Sequence, residues 1–100
     1  MERMDDDLRP DENDLIGQWL DIGSRIVADG VAARIRWLID ERLEPLAVAP
    51  GGRGGVYRDP ADGRLWELMH PYPEMHGGGP PRLRVISAAD AMERYGLDGA

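Results

Sequence analysis

Residues 57–83 constrain this chain more than any other part of it. Asp59-Pro60-Ala61-Asp62-Gly63 sets turn chemistry between two short runs, 56–58 and 64–69, that are able to pair. Asp and Pro open tight turns and Gly supplies the positive φ that closes them, so the spacing predicts a β-hairpin. In its second strand Leu65 and Glu67 face one way and Trp66 and Leu68 the other, because side chains alternate along a strand. Pro71 and Pro73 then exclude a helix, and the chain continues through Tyr72, Glu74, Met75 and His76 into Gly77-Gly78-Gly79-Pro80-Pro81. A stiff, irregular loop carried on a strand scaffold is a common way to display a binding surface.

The flanking segments supply a frame. Residues 15–20 fit a helical face through Leu15, Ile16, Trp19 and Leu20 or a strand start through Gly17 and Trp19; the extended reading is preferred, with a turn at 23–24 and a partner strand over 25–28. Asp29 is suited to cap a helix, and Ala32, Ile35, Leu38 or Ile39, and Leu43 recur at helical spacing, which predicts a helix over 30–43 stopped by Pro45. A short strand is expected at 46–48, a glycine-rich loop over 50–55 and a strand over 82–86. Ser87 starts a last helix that runs to 95 and ends at Gly96. The fold class is α+β, a mostly antiparallel sheet with two helices. One hundred residues make one modest core. It is placed at 11–100, behind an acidic flexible leader at 1–10 whose polar composition offsets little ordering entropy.

Charge and composition narrow the function classes. The net charge is −7, of which −5 belongs to residues 1–14: seven acids against Arg3 and Arg9. Phosphate binding needs clustered positive charge, so nucleic acid is not the expected partner; a basic protein is. No run approaches the ~20 apolar residues of a membrane span. The chain has no cysteine, hence no thiolate nucleophile or zinc–thiolate site. With no apolar signal-like run at the start, a cytoplasmic location is expected. The sequence does not fix an oligomeric state.

His70, Glu74 and His76 form the one cluster able to ligate a metal or exchange protons, yet their spacing matches no helical metal motif. The preferred reading is structural, with Glu74 and His76 bonding the backbone of the glycine loop. No catalytic residue and no cofactor is expected. The triple glycine is followed by prolines rather than a helix N-terminus, which argues against a phosphate cradle. Trp19, Trp37 and Trp66 read as core. Asp59 and Asp62 read first as turn-formers and second as contacts for a basic partner. Glu67, Tyr72, Glu74 and His76 are the leading candidates for a partner-binding face. The competing arrangement packs Tyr72 on the core and pairs the glutamates with Arg58, Arg64 or Arg82.

Asp59-Pro60, Asp62-Gly63-Arg64, Trp66-Glu67-Leu68 and the string Glu74-Met75-His76-Gly77-Gly78-Gly79-Pro80-Pro81 closely resemble the Immunity protein 27 family, as do Leu15-Ile16-Gly17-Gln18-Trp19, Arg34-Ile35 and Trp37-Leu38-Ile39 upstream. The resemblance runs from about residue 8 to residue 95. It departs from the family in the acidic leader and in Gly52-Arg53-Gly54-Gly55-Val56, where a Trp is expected. The resemblance implies a bacterial antidote that neutralises a cognate toxin domain by stoichiometric occlusion, the toxin being basic, with nucleases an example. Two other readings stay open: a small metal-binding or hydrolytic protein using His70, Glu74 and His76, and a generic interaction adaptor.

Overall fold

The alternation read from residues 65–69 organises the molecule. The computed structural model describes residues 7–23, 25–48, 54–75 and 78–97. Nine elements follow in chain order: β1 (Asp14–Ile16), β2 (Trp19–Asp21), β3 (Ile26–Ala28), α1 (Gly30–Glu41), β4 (Glu44–Val48), β5 (Gly55–Arg58), β6 (Leu65–Met69), β7 (Arg82–Ile86) and α2 (Ala88–Tyr95). Five strands form an antiparallel sheet in the order β1-β7-β6-β5-β4, and β2 pairs with β3 in a separate hairpin. The class is α+β, as the sequence predicts.

Register explains the two faces. Tyr57 pairs with Trp66, Leu68 with Leu83 and Leu83 with Leu15, so these residues share one face. Against it α1 lays Ile35 and Leu38, and the main core closes around a fully buried Trp66. On the other face Leu65 pairs with Ile86, and these join Val56 and Ala91 of α2 in a second cluster. A strand buried on both faces explains why Leu65, Trp66, Glu67 and Leu68 are all under cover.

Local chemistry sets the boundaries. The Asp29 carboxylate accepts from the Ala32 amide at 2.7 Å and Ser87 Oγ accepts from the Asp90 amide at 3.0 Å, capping α1 and α2. Gly96 adopts φ +70° and closes α2. Helix α1 ends at Glu41, two residues short of the expectation, because Leu43 turns into the core and β4 begins at Glu44. Pro45 therefore lies inside a strand. It is tolerated there because β4 is the sheet's edge, and the pairing with β5 shifts register between Pro45 and Ala47. Among the described residues no helix is long and apolar enough to cross a membrane.

The N-terminal segment departs from expectation. Leu8 is 2 % exposed and belongs to the main core. Two arginines strap the backbone around it and a third pairs with a side chain. Arg34 donates to the Asp7 carbonyl at 2.7 Å, Arg64 donates to the carbonyls of Glu12 at 2.6 Å and Arg9 at 3.0 Å, and Arg42 pairs with the Asp7 carboxylate at 3.0 Å. The flexible leader expected over 1–10 is thus corrected for residues 7–10, since a leucine that fills the core repays the entropy of ordering its neighbours. Residues 1–6 lie outside the described residues.

The strap carries a pH dependence. Both carboxylate oxygens of Glu12 accept from Arg34 at 2.7 Å, and Oε1 also accepts from the Arg9 amide at 2.8 Å. The Arg34 hydrogen bonds outweigh the opposing effect of burial and lower the Glu12 pKa from 4.5 to about 2. A carboxyl whose folded pKa is depressed contributes stability that is present above its unfolded value and lost as pH falls through the folded one. With the pair partly solvated, this contribution is roughly 1–2 kcal/mol, lost between about pH 4.5 and pH 2. Urea titrations of the parent and Glu12→Gln at pH 7 and pH 2.5 are expected to differ fully at pH 7 and by much less at pH 2.5, where most but not all of the contribution is gone.

Candidate functional site

The expected hairpin forms, and its turn explains two of the candidate acids. Asp59 is 7 % exposed; its carboxylate accepts from the Ala61 amide at 2.9 Å and its carbonyl accepts from Gly63, whose φ is +79°. The Asp62 carboxylate accepts from the Arg64 amide at 3.0 Å and pairs with the Arg64 guanidinium at 2.6 Å. Both carry the turn-forming role that the sequence reading put first.

Glu67 goes inward. It is 4 % exposed, and its carboxylate accepts from Tyr95 Oη at 2.6 Å, from Arg94 at 3.0 and 3.1 Å and, more loosely, from Arg84 at 3.4 Å. It joins the sheet to α2. Burial, with the Glu67 carboxylate accepting its proton, pushes the Tyr95 hydroxyl up to about 12. Glu67 as a partner contact is corrected: β6 is covered on both faces, so a carboxylate at its centre is spent on the fold. Nor does it pair with Arg58 or Arg64. Arg58 bonds Glu44, and Arg64 stacks over the Trp66 ring at 4.9 Å.

The loop after β6 behaves differently. Tyr72 is 57 % exposed and Met75 42 %, while Glu74 is exposed and makes no ion pair among the described residues. The backbone beneath them is fixed. The Met75 amide donates to the Tyr72 carbonyl at 3.1 Å and the Gly78 amide to the Met75 carbonyl at 3.0 Å. Gly78 and Gly79 have φ of +89° and +85°, and a Cβ on Gly79 would overlap the Tyr72 carbonyl. The glycines are there because the loop folds back on itself. His76, a leading candidate, lies outside the described residues, as does Gly77. His70 is half-buried, and among the described residues no group of three His, Asp or Glu side chains is placed to hold a metal ion.

Beside this loop lies a cleft of about 470 Å³ that the sequence reading did not anticipate. Trp19 and Ala28 of the β2–β3 hairpin line it, together with His70, Gly79 and Pro81 of the loop. Helix α1 supplies Ala32, Ala33, Ile35, Arg36, Ile39 and Asp40, and β6 supplies Leu68. The walls converge only through tertiary packing. Gly17 makes this approach possible: its amide donates to the Pro81 carbonyl at 2.8 Å, and a Cβ there would meet Ala32 at 2.9 Å. The one sequence sign of the cleft is the run of positions 33, 36 and 40 along a single helix face.

Residues 21–87 match the family model described as Immunity protein 27, a span that takes in β3 through β7, α1, the hairpin and the Tyr72 loop. No curated protein and no solved structure matches the chain. An immunity role implies a cognate toxin as partner. The matched span exceeds half of the chain: this protein belongs to the Immunity protein 27 family.

Proposed function

We propose that this immunity protein neutralises its toxin by binding it stoichiometrically through the loop over residues 70–81, covering the toxin's active site or substrate surface. The observation that carries this reading is the exposure of Tyr72 and Met75 on a backbone fixed by left-handed glycines. Large apolar side chains that stand out from a preorganised loop lose little freedom on binding, and aromatic anchors of this kind dominate interface energies. Glu74 beside them and the overall charge of −7 favour a basic toxin, such as a nuclease, and a fast electrostatically steered encounter. No turnover is required, so the protein acts as a binder rather than an enzyme. It acts where its toxin would act, in the cytoplasm.

The test uses the cognate toxin domain, sought at the C-terminus of the protein encoded next to this one. Tyr72→Ala is expected to weaken binding by about 30-fold or more, the scale of an interface hot spot. Glu74→Arg is expected to slow association at low salt. Calorimetry and stopped-flow measure both effects, with thermal melts unchanged because both side chains are exposed. Variants that stay folded and protect cells from the toxin as well as the parent does would place the interface elsewhere.

A further inference from the structure

The two edges of the five-stranded sheet are built differently. An open edge presents unpaired N–H and C=O groups, and proteins guard it with proline, bulges or charge. On β4 the guard is in place: Pro45 lacks a donor, and the ladder to β5 shifts between Pro45 and Ala47. On β1 neither device occurs. Its ladder fixes which groups are free. The Val85 amide donates to the Asn13 carbonyl at 2.9 Å and the Gly17 amide to the Pro81 carbonyl at 2.8 Å, so positions 13, 15 and 17 turn their backbone groups toward β7. The N–H and C=O groups of Asp14 and Ile16 therefore point off the sheet, and no strand pairs with them among the described residues.

The side chains beside this edge are apolar or already paired. Ile16, Arg82 and Met69 stand in one row across β1, β7 and β6, while α2 packs over Val56, Leu65 and Ile86 toward the other end of that face. Ile16 is 53 % exposed, and Arg82 is closed on the Asp14 carboxylate by hydrogen bonds of 3.0 and 2.6 Å. Those bonds, and in small part the nearby Tyr72 hydroxyl, raise the Arg82 pKa, which places Tyr72 beside the same row. The open backbone of β1 is thus continuous with the exposed side of the 70–81 loop.

We infer that β1 accepts an extended segment of the toxin as a sixth strand of the sheet, with an apolar side chain laid beside Ile16 and basic residues beside the stretch that leads into β1. The inference rests on the toxin-binding reading and names the part of the partner that this edge takes. Unpaired backbone donors and acceptors on alternate residues are matched by another extended backbone. Charge selects which one. Residues 1–14 carry −5, and after Arg34, Arg42 and Arg82 have each neutralised one of their acids a net −2 remains. Asp11 is exposed and makes no ion pair among the described residues. A second copy of this chain would bring two such acidic stretches together. A two-fold antiparallel pairing that uses both open residues would also set each Asp14 against Ile16 of the other copy, a charge against an apolar side chain.

Ile16→Pro removes one outward donor and no bond to β7, which an edge strand tolerates. It is expected to melt within a few degrees of the parent and to bind the toxin domain about 10-fold more weakly, the scale of one lost hydrogen bond. Val48→Lys, on the guarded edge, is expected to bind as the parent does. Hydrogen exchange followed by NMR decides the same point on the parent protein. The Asp14 and Ile16 amides are expected to exchange fast in the free chain and at least about 10-fold more slowly in the complex. Asp11→Arg is expected to slow association about threefold at low salt; faster association would mean an acidic segment and overturn the chemistry assigned to it. Amides that stay fast in a complex that Tyr72→Ala abolishes overturn strand addition and leave the loop interface standing. Protection that appears in the free protein as its concentration is raised would give the edge to a second copy and overturn the inference. A parent protein that does not bind the toxin at all removes both readings.

Discussion

Leu8→Ala is expected to lower the melting temperature by on the order of 10–30 °C. The side chain is 2 % exposed and packs in the cluster that holds Trp66, Ile35 and Leu38. Truncating a buried leucine costs about 2–5 kcal/mol, and each kcal/mol shifts a domain of this size by about 4–8 °C. Against a total stability of ~5–15 kcal/mol this is a large fraction. Starting the chain at Asp11 removes Leu8 together with the Asp7 and Arg9 carbonyls that Arg34 and Arg64 bond, so it is expected to lose at least as much. Leu20→Ala, at a position 45 % exposed, serves as the control and is expected to shift the melt by a few degrees at most. Scanning calorimetry on the three variants decides the matter. A chain starting at Asp11 that melts with the parent would mean that the strap does not hold residue 8 in the core.

The parts of the fold that were legible in the sequence are those governed by local rules. Asp29 and Ser87 cap, Gly96 terminates and Asp59 to Gly63 turn, all through bonds that span five residues or fewer. The β2–β3 hairpin and the alternation in β6 follow from the same short-range patterning, but residues 14–16, read as part of the hairpin strand, pair with the distant β7 instead. The errors arose where a distant partner decided the outcome. Leu8 sits in a polar, acidic stretch that gives no sign of packing; its burial depends on Arg34, Arg42 and Arg64, between 26 and 56 positions further along the chain. Pro45 reads as a helix stop, and only the sheet order shows it on an edge where a strand accepts it.

The candidate site divides along the same line. Tyr72 and Glu74 could be chosen from sequence because two prolines forced a loop, and a loop residue with a large side chain either covers the core or stands in solvent. The structure exposes them. Glu67 could not be placed from sequence, because a charged residue in a strand ordinarily marks the wet face. What inverted it was α2, which brings Arg94 and Tyr95 over that face from 27 and 28 positions away. The cleft left a single faint trace in the sequence, the spacing of positions 33, 36 and 40 on one helix face. Its lining comes from a hairpin, a helix and a loop, and Gly17 lets the chain beside the hairpin come close to Ala32 and Pro81.

The Glu67 arrangement yields the second large effect, and its asymmetry is what makes it testable. The Glu67 side chain is 5 % exposed, while those of Arg84 and Arg94 are 37 % and 43 % exposed. Removing the acid leaves two guanidiniums that can turn to water. Removing both arginines leaves a buried carboxylate with the Tyr95 hydroxyl as its remaining donor among those described. Breaking a buried pair so that its charge is stranded costs about 3–5 kcal/mol, whereas replacing the charge by a well-packed apolar group is often close to neutral. Glu67→Leu, which extends the apolar cluster of Val56, Leu65 and Ile86, is therefore expected to stay within about 1–2 kcal/mol of the parent. The double variant Arg84→Met, Arg94→Met is expected to lose about 3–5 kcal/mol, with faster amide exchange in α2 because the bond from sheet to helix is weakened. Urea denaturation at pH 7 gives the two numbers. If the double arginine variant unfolds with the parent while Glu67→Leu collapses, the carboxylate is not held as the geometry implies. Glu67→Leu should also bind the toxin domain normally, since its side chain has almost no surface for a partner to reach. Lost binding in a folded Glu67→Leu would return this residue to the interface.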